Sequence, residues 1–175
     1  MIRLATERDA SGVLAIYAPI VQETAISFET EVPTEQEVSE RIAASHEWLV
    51  LERDGACAGY AYAGPFHRRA AYQWSVEVSI YLAEHARGSG LGRELLAALL
   101  ERLTQQGFVN AFAGTTLPNP ASVGLFESFG FEKIAHQKNV GFKLGEWHDV
   151  GWWQRTLRPL TAPPPQLNEH LTRNA

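Results

Sequence analysis

Arg87-Gly88-Ser89-Gly90-Leu91-Gly92 joins a strand-like run ending near Leu82 to a leucine-rich run beginning near Gly90, and the reading of this joint decides the fold. Three glycines within five residues let the backbone approach a ligand closely and adopt positive φ. Successive amide N–H groups at a helix start form an anion cradle, which the helix dipole reinforces. The segment therefore suits a phosphate or pyrophosphate, with Arg87 or Arg93 adding positive charge. A tight strand-to-helix turn that binds nothing would need the same glycines. No Gly-Lys-Ser/Thr follows, so the P-loop lysine is missing. The third glycine also comes one residue early for the dinucleotide Gly-x-Gly-x-x-Gly pattern. Nucleotide hydrolysis and dinucleotide redox chemistry are both disfavoured.

Working outward, Leu91, Leu95, Leu96, Leu99, Leu100 and Leu103 cover about half a helical wheel, which predicts a helix through Gln106. Gln73 to Leu82 predicts a long central strand before it. Val109 to Thr115 predicts a strand after it, followed by a short helix from Pro120 to Ser128 and strands over Phe131–Val140 and Trp147–Leu157. Toward the N-terminus, Ile2–Ala5 predicts a strand, and Thr6-Glu7-Arg8-Asp9 introduces a helix to about Val21. Thr34-Glu35-Gln36-Glu37 introduces another, ending near Glu47. Strands Trp48–Arg53 and Cys57–Gly64 flank Asp54-Gly55, a strong hairpin turn. The result is a mixed α/β (α+β) chain with helices inserted among hairpins, not a strictly alternating doubly wound sheet.

The 175 residues suit one domain with a proper core, taken as 1–158, followed by a tail over 159–175. Pro163-Pro164-Pro165 and the polar text after it predict that this tail is extended and mobile. Fifteen Lys+Arg against 20 Asp+Glu, a net charge of −5, disfavours a nucleic-acid partner. The single Cys57 excludes an intramolecular disulfide framework and fits a reducing, cytoplasmic setting. Acidic residues interrupt the N-terminus before any apolar run, so no secretory signal is read. The longest apolar run, Leu95–Leu100, falls far short of the roughly 20 residues that cross a bilayer, so no membrane partner is expected. The six histidines lack metal-ligand spacing, and no metal is expected.

Glu77 is the candidate for catalysis. It lies within Trp74-Ser75-Val76-Glu77-Val78-Ser79-Ile80-Tyr81, where a carboxylate is costly without a role or a partner. Partial burial would raise its pKa toward neutrality and suit it to take a proton from an ammonium substrate. A solvent-facing or structurally paired Glu77 is the competing reading. His148 and Asp149 are adjacent on a strand and face opposite sides, which leaves them structural or at a pocket rim.

The pattern Arg87-x-x-Gly90-x-Gly92 between strand and helix resembles the acetyl-CoA-binding motif of the GNAT superfamily of N-acetyltransferases. The run from Asn119 to Phe131 is similar to that superfamily's next motif, in which an Asn starts a short helix ending at Gly-Phe. Four further blocks, Phe28–Glu31, Tyr60–Phe66, Tyr72–Tyr81 and Trp147–Gln154, resemble the phosphinothricin/methionine sulfoximine N-acetyltransferases, enzymes of herbicide and antibiotic resistance. The likeness runs over about residues 2–157.

The resemblance implies a twisted mixed sheet flanked by helices and splayed between two central strands, with acetyl-CoA as co-substrate in the opening. Backbone of Ile80, Tyr81 and Leu82 would pair with the pantetheine arm. Amides of Gly88, Ser89, Gly90, Leu91, Gly92 and Arg93 would hold the pyrophosphate beside Arg87. Asn119 would bind further along the cofactor, cap the helix at Pro120, or both. Glu77 would act as base or substrate anchor in direct attack within a ternary complex, and a backbone N–H of Val78 or Ile80 would hold the thioester oxygen. Phe28, Arg68, Arg69, Tyr72, Val78 and Ser79 would surround a small amine of amino-acid type, although His67-Arg68-Arg69 also reads as a solvated charge run. Phe126 stands where relatives carry Tyr or His, which leaves Ser122 or unassisted departure for the thiolate. The resemblance also implies a homodimer. An acetyltransferase for another amine or a protein N-terminus, and a non-catalytic acyl-CoA sensor, remain alternatives.

Overall fold

The computed structural model of the protein describes residues 1–168. Seven strands form one sheet in the order β1-β2-β3-β4-β5-β7-β6. They are β1 (Ile2–Leu4), β2 (Glu47–Arg53), β3 (Ala56–Pro65), β4 (Ser75–Leu82), β5 (Asn110–Leu117), β6 (Glu132–Lys143) and β7 (Glu146–Thr156). The helices are α1 (Ala10–Glu23), α2 (Glu35–Ala44), α3 (Leu91–Gln106) and α4 (Pro120–Ser128). Only β4 and β5 run parallel; every other neighbouring pair is antiparallel. This is the mixed, helix-flanked sheet that the sequence predicts.

Helices cover both faces. Leu95, Leu96, Leu99 and Leu103 of α3 are fully buried against Val76, Val78, Ala111 and Ala113 of the central strands. On the other face Val13, Ile16 and Ile20 of α1 and Val38 and Ile42 of α2 pack on Trp48, Val50 and Tyr60. With both faces covered, Trp48, Leu49, Val50 and Leu51 are all buried, as a continuous apolar strand requires. At the β2–β3 hairpin Asp54 (φ 53°) and Gly55 (φ 77°) are both left-handed, the conformation that an Asp-Gly turn supplies.

Several boundaries differ from expectation, by a few residues along the strands and more tellingly at three places. The helix expected from Thr6 begins as a 3-10 turn over Glu7–Asp9 before α1. Thr34 caps α2 through Glu37, whose amide donates to Thr34 Oγ1 at 3.2 Å, but the helix stops at Ala44 instead of near Glu47. Glu47 is needed elsewhere: it starts β2 with a fully buried side chain bound by Arg102 and Gln106 of α3. The segment expected to stand off as a mobile tail is attached over its described part. Trp74 Nε1 donates to the Pro165 carbonyl at 2.7 Å, the Asn168 amide donates to Gln106 O at 2.8 Å, and Leu167 packs on the core below α3. The rest of the tail lies outside the described residues.

Candidate functional site

The β4–β5 ladder holds three pairs, Ser75–Asn110, Val76–Ala111 and Glu77–Phe112, and then the strands part. Beyond it, β4 stays paired with β3 as far as Leu82 and β5 with β7 as far as Leu117. The sheet is therefore splayed, as expected, with one open edge on each side of the gap. The Phe66 amide donates to Ser75 O and the Ala83 amide to Ala58 O, which fixes the alternation along β4. Ser75, Glu77, Ser79 and Tyr81 direct their backbone groups to β3, while Val78, Ile80 and Leu82 direct theirs into the gap. Tyr81 therefore departs from its expected role, because its amide and carbonyl are committed to β3. Unpaired N–H and C=O groups on a strand edge are a template for another extended chain.

The gap widens into a cleft of about 530 Å³, lined on the β4 side by Ile80, Tyr81 and Leu82. Arg87, Gly88, Gly90, Gly92 and Arg93 line its loop side, and Asn119, Ser122 and Leu125 line the α4 side. Gly88 (φ 71°) and Gly90 (φ 85°) are left-handed, and Gly90 is the N-cap of α3, so the loop turns its chain into the helix at a point where glycine is needed. At Gly92 an added Cβ would meet Leu82 Cδ1 at 3.2 Å; the missing side chain lets α3 start close against β4. The unpaired amides at this helix start, with two arginines beside them, fit a pyrophosphate. Arg87 Nε donates to Leu82 O at 3.3 Å, and Arg93 reaches Ser128 Oγ at 2.6 Å over the Phe129 ring.

Ser89 and Leu91, also expected at the cofactor, do not line the cleft. Ser89 Oγ closes the turn onto Ala86 O at 2.7 Å, and Leu91 packs against the core. Asn119 caps α4, its Oδ1 accepting from the Ser122 amide at 3.1 Å, and the residue also lines the cleft.

Glu77 is half-buried at the fork, and among the described residues no side chain donates a hydrogen bond to its carboxylate. Burial pushes its pKa up, with nearby His67 acting in the opposite direction. Gly64 lies directly across from it on β3, and Tyr62, bonded to the Ser79 side chain, is the next cross-strand pair. A small recess where β4 and β5 part is bounded by Val78, Ser79, Thr115, Ser122 and Phe126. Phe126 is buried against Phe131, at 5.2 Å between ring centres, and offers no proton donor there.

The expected substrate residues separate. Phe28 is 39% exposed, beside Gly141 and tilted on His148 at 6.3 Å. Arg68 and Arg69 are exposed, and among the described residues neither has an ion pair. Tyr72 follows them and contacts the His67 ring at 4.8 Å, which ties this loop to Glu77. His148 and Asp149 are structural: His148 bonds Lys143 O at 2.9 Å, and Asp149 bonds His136 at 2.6 Å. Among the described residues no group of three or more candidate ligands could hold a metal.

A polar cluster was not legible in the sequence. Tyr17 bonds Ser27 Oγ at 2.6 Å and Glu29 at 3.0 Å, and Arg41 holds both oxygens of Glu29 at 2.7 and 3.2 Å. Burial is the main reason the Tyr17 hydroxyl is pushed up to about 12. Buried Lys143, its pKa lowered by desolvation, donates to Ser27 O at 2.6 Å. These side chains come from α1, α2, the segment between them and β6, so spacing along the chain carries no trace of their meeting.

Residues 2–152 match the family described as the acetyltransferase (GNAT) domain. The chain is 40% identical over 166 residues to a phosphinothricin N-acetyltransferase of Streptomyces viridochromogenes, covering 93% of this chain and 90% of the relative. It is 36% identical over 168 residues to an L-methionine sulfoximine/L-methionine sulfone acetyltransferase of Pseudomonas aeruginosa, covering 93% and 98%. Among solved structures it is similar to a phosphinothricin acetyltransferase from Sinorhizobium meliloti in complex with AcCoA, at TM-score 0.90 and 36% identity, over 95% of this chain and 92% of that one.

Proposed function

The chain belongs to the GNAT acetyltransferase family, and from that premise we propose that it transfers acetyl from acetyl-CoA to the amine of a small amino acid or amino-acid analogue. The observation that carries this reading is the open edge of β4, which begins just past the fork at Glu77 and runs by Val78 and Ile80 to the glycine loop. Acetyl-CoA supplies the activated thioester. The amides of Gly88, Gly90 and Gly92 hold its pyrophosphate beside the Arg87 and Arg93 side chains, and the gap-facing groups of Ile80 and Leu82 align its amide-bearing arm. The N–H of Val78 or Ile80 donates to the thioester oxygen. Glu77 takes the proton that the ammonium must lose before attack, and its raised pKa suits that task. Attack is direct, in a ternary complex. The one cysteine, Cys57, lies on β3, and burial raises its thiol pKa, the opposite of what a covalent nucleophile needs. The thiolate leaves beside Ser122, and a thiol pKa near roughly 8.5 makes that departure easy.

Two further parts of the reading concern its setting. Among the described residues no helix is long and apolar enough to cross a membrane, and the lone free thiol suits a reducing compartment such as the cytoplasm. The protein acts as a homodimer through the β6–β7 hairpin, whose Phe142 (58% exposed) and Trp147 (63%) pair their rings 5.4 Å apart at the surface.

The deciding experiment is thiol release from acetyl-CoA across a panel of amines that includes phosphinothricin, methionine sulfoximine, simple amino acids and an N-terminal peptide. Turnover with amino acids or their analogues is expected. Turnover with the peptide alone would change the acceptor class. Calorimetric binding of acetyl-CoA without any turnover would make the protein a sensor.

A further inference from the structure

Toward the fork the cleft narrows into the recess where β4 and β5 part, and the two spaces share Ile80, Tyr81, Asn119 and Ser122. The recess holds about 40 Å³. Val78, its β4 wall, is the first residue past the last β4–β5 pair, so the recess begins where Glu77 ends the ladder. Val76 and Val78 on β4 and Ala111 and Ala113 on β5 are buried with the leucines of α3. Alternation along a strand sends Thr115 to that same face and Glu77 to the opposite one. Phe126 of α4, part of the same buried cluster, closes the recess on the α3 side.

The ring is fixed in place. Phe126 is 3% exposed, and its ring centre lies 5.2 Å from that of Phe131. Its carbonyl accepts from the Phe129 and Phe131 amides at 3.0 and 3.2 Å, which pins the end of α4.

Size and charge decide what such a space takes. About 10–15 Å³ accommodates one water-sized group, so the recess accommodates about three. An acetyl group brings three heavy atoms: the carbonyl carbon, its oxygen and the methyl. A butyryl group adds two carbons, which would have to displace a buried ring. Among the described residues no charged side chain lines the recess. A carboxylate at the end of a longer acyl group would therefore lose its hydration without an ion partner.

We propose that Phe126 is the floor of the acyl site and sets the length of the acyl group transferred, confining the donor to acetyl and, less well, propionyl. The proposal rests on the acetyl-transfer reading above and deepens it by naming the residue that limits the donor. It gives Phe126 a task at the thioester that needs no proton, on the side away from Glu77.

The test opens the recess from two sides. Phe126→Leu removes the ring and keeps an apolar side chain that suits a helix. Thr115→Ala opens the same space from β5. For wild type and both variants, kcat/KM is measured with acetyl-, propionyl-, butyryl- and succinyl-CoA on one acceptor amine, beside calorimetric binding of each thioester and of free CoA. A methylene that does not fit costs about 10–200-fold, so wild type should fall about ten-fold on propionyl and about a hundred-fold or more on butyryl. In either variant the butyryl-to-acetyl ratio should rise about ten-fold or more. A merely structural role would lower both rates together and leave that ratio where it was. Succinyl should stay excluded throughout, because neither variant adds a cation.

A wild type that takes butyryl or succinyl as readily as acetyl would overturn the proposal, as would an unmoved ratio in folded Phe126→Leu. If Phe126→Leu does not fold, the ratio in Thr115→Ala decides. If wild type turns over no amine, the acetyl-transfer reading fails on its own. The acyl site then stands only if wild type binds butyryl-CoA more weakly than acetyl-CoA and the variants close that gap with free CoA affinity unmoved.

Discussion

Glu77 and Phe112 are the last residues paired between β4 and β5, so the half-buried carboxylate stands where the sheet opens. Burial raises its pKa, which means that its neutral form is favoured in the fold and the ionised base appears only as pH rises through the raised value. Activity should therefore climb with pH along a limb above the ordinary carboxylate range. Glu77→Gln should lower kcat by about 10²–10⁴-fold, with acetyl-CoA affinity unchanged. High pH should partly restore it by delivering an amine already deprotonated. The variant should be no less stable than wild type at neutral pH, since it removes a charge that burial disfavours. A higher KM with kcat intact would identify an anchor in place of a base.

The glycine loop is tested against a matched control. Gly90 (φ 85°) and Gly55 (φ 77°) are both left-handed, and an added Cβ meets nothing within 4 Å at either. Alanine at either position should cost about 1 kcal/mol of stability from backbone strain alone. Only Gly90→Ala, at the cleft, should also weaken acetyl-CoA in calorimetry. Equal affinities for the two variants would remove the loop from the binding site.

Acid stability has a specific source at the N-terminus. Arg3 holds both oxygens of Asp9, at 2.9 and 2.7 Å, and the Thr6 amide donates to the same carboxylate at 2.8 Å. Chiefly through the Arg3 hydrogen bonds, the Asp9 pKa falls from 3.8 to about 2. A lowered carboxylate pKa gives stability that is complete above the unfolded value and is lost as pH falls toward the folded one. Asp9→Asn should therefore cost about 1–2 kcal/mol at pH 7, below the full linkage value because Arg3 is 38% exposed and solvent screens the pair. The gap between variant and wild type should close between about pH 4 and pH 2 in denaturant titrations.

Removing residues 159–175 deletes the Trp74–Pro165 and Gln106–Asn168 hydrogen bonds and the Leu167 packing. Two hydrogen bonds and a partly buried leucine together suggest a loss of about 2–4 kcal/mol. Denaturant unfolding of the shortened chain measures it, and an unchanged midpoint would make these contacts incidental.

What the sequence makes legible follows from how local each cause is. The leucine period sets α3 from Leu91 to Gln106, Asp54-Gly55 sets its hairpin, and the glycines of 88–92 locate the loop wall of the cleft, because each depends on neighbours along the chain. Glu77 stands out since a lone carboxylate in an apolar strand is costly wherever that strand packs. Tyr81 shows the limit. Only the β3 register reveals that its backbone is already engaged, and a register is a property of two strands. The Tyr17–Glu29–Arg41 cluster and the seat of residues 165–168 depend on contacts between distant segments, and the composition of a proline-rich stretch does not state what it lies against.

The short β4–β5 ladder also makes the sheet a lever. Four strands on one side and three on the other are joined at residues 75–77 of β4, and the edge of β4 from Glu77 to Leu82 that faces the gap extends about 16 Å from that fulcrum. A slight rotation at the fulcrum becomes a displacement of the jaws several times larger than that within the ladder. The Trp74–Pro165 bond holds the chain one residue before this ladder, so the C-terminal segment is fastened beside the point where the sheet opens.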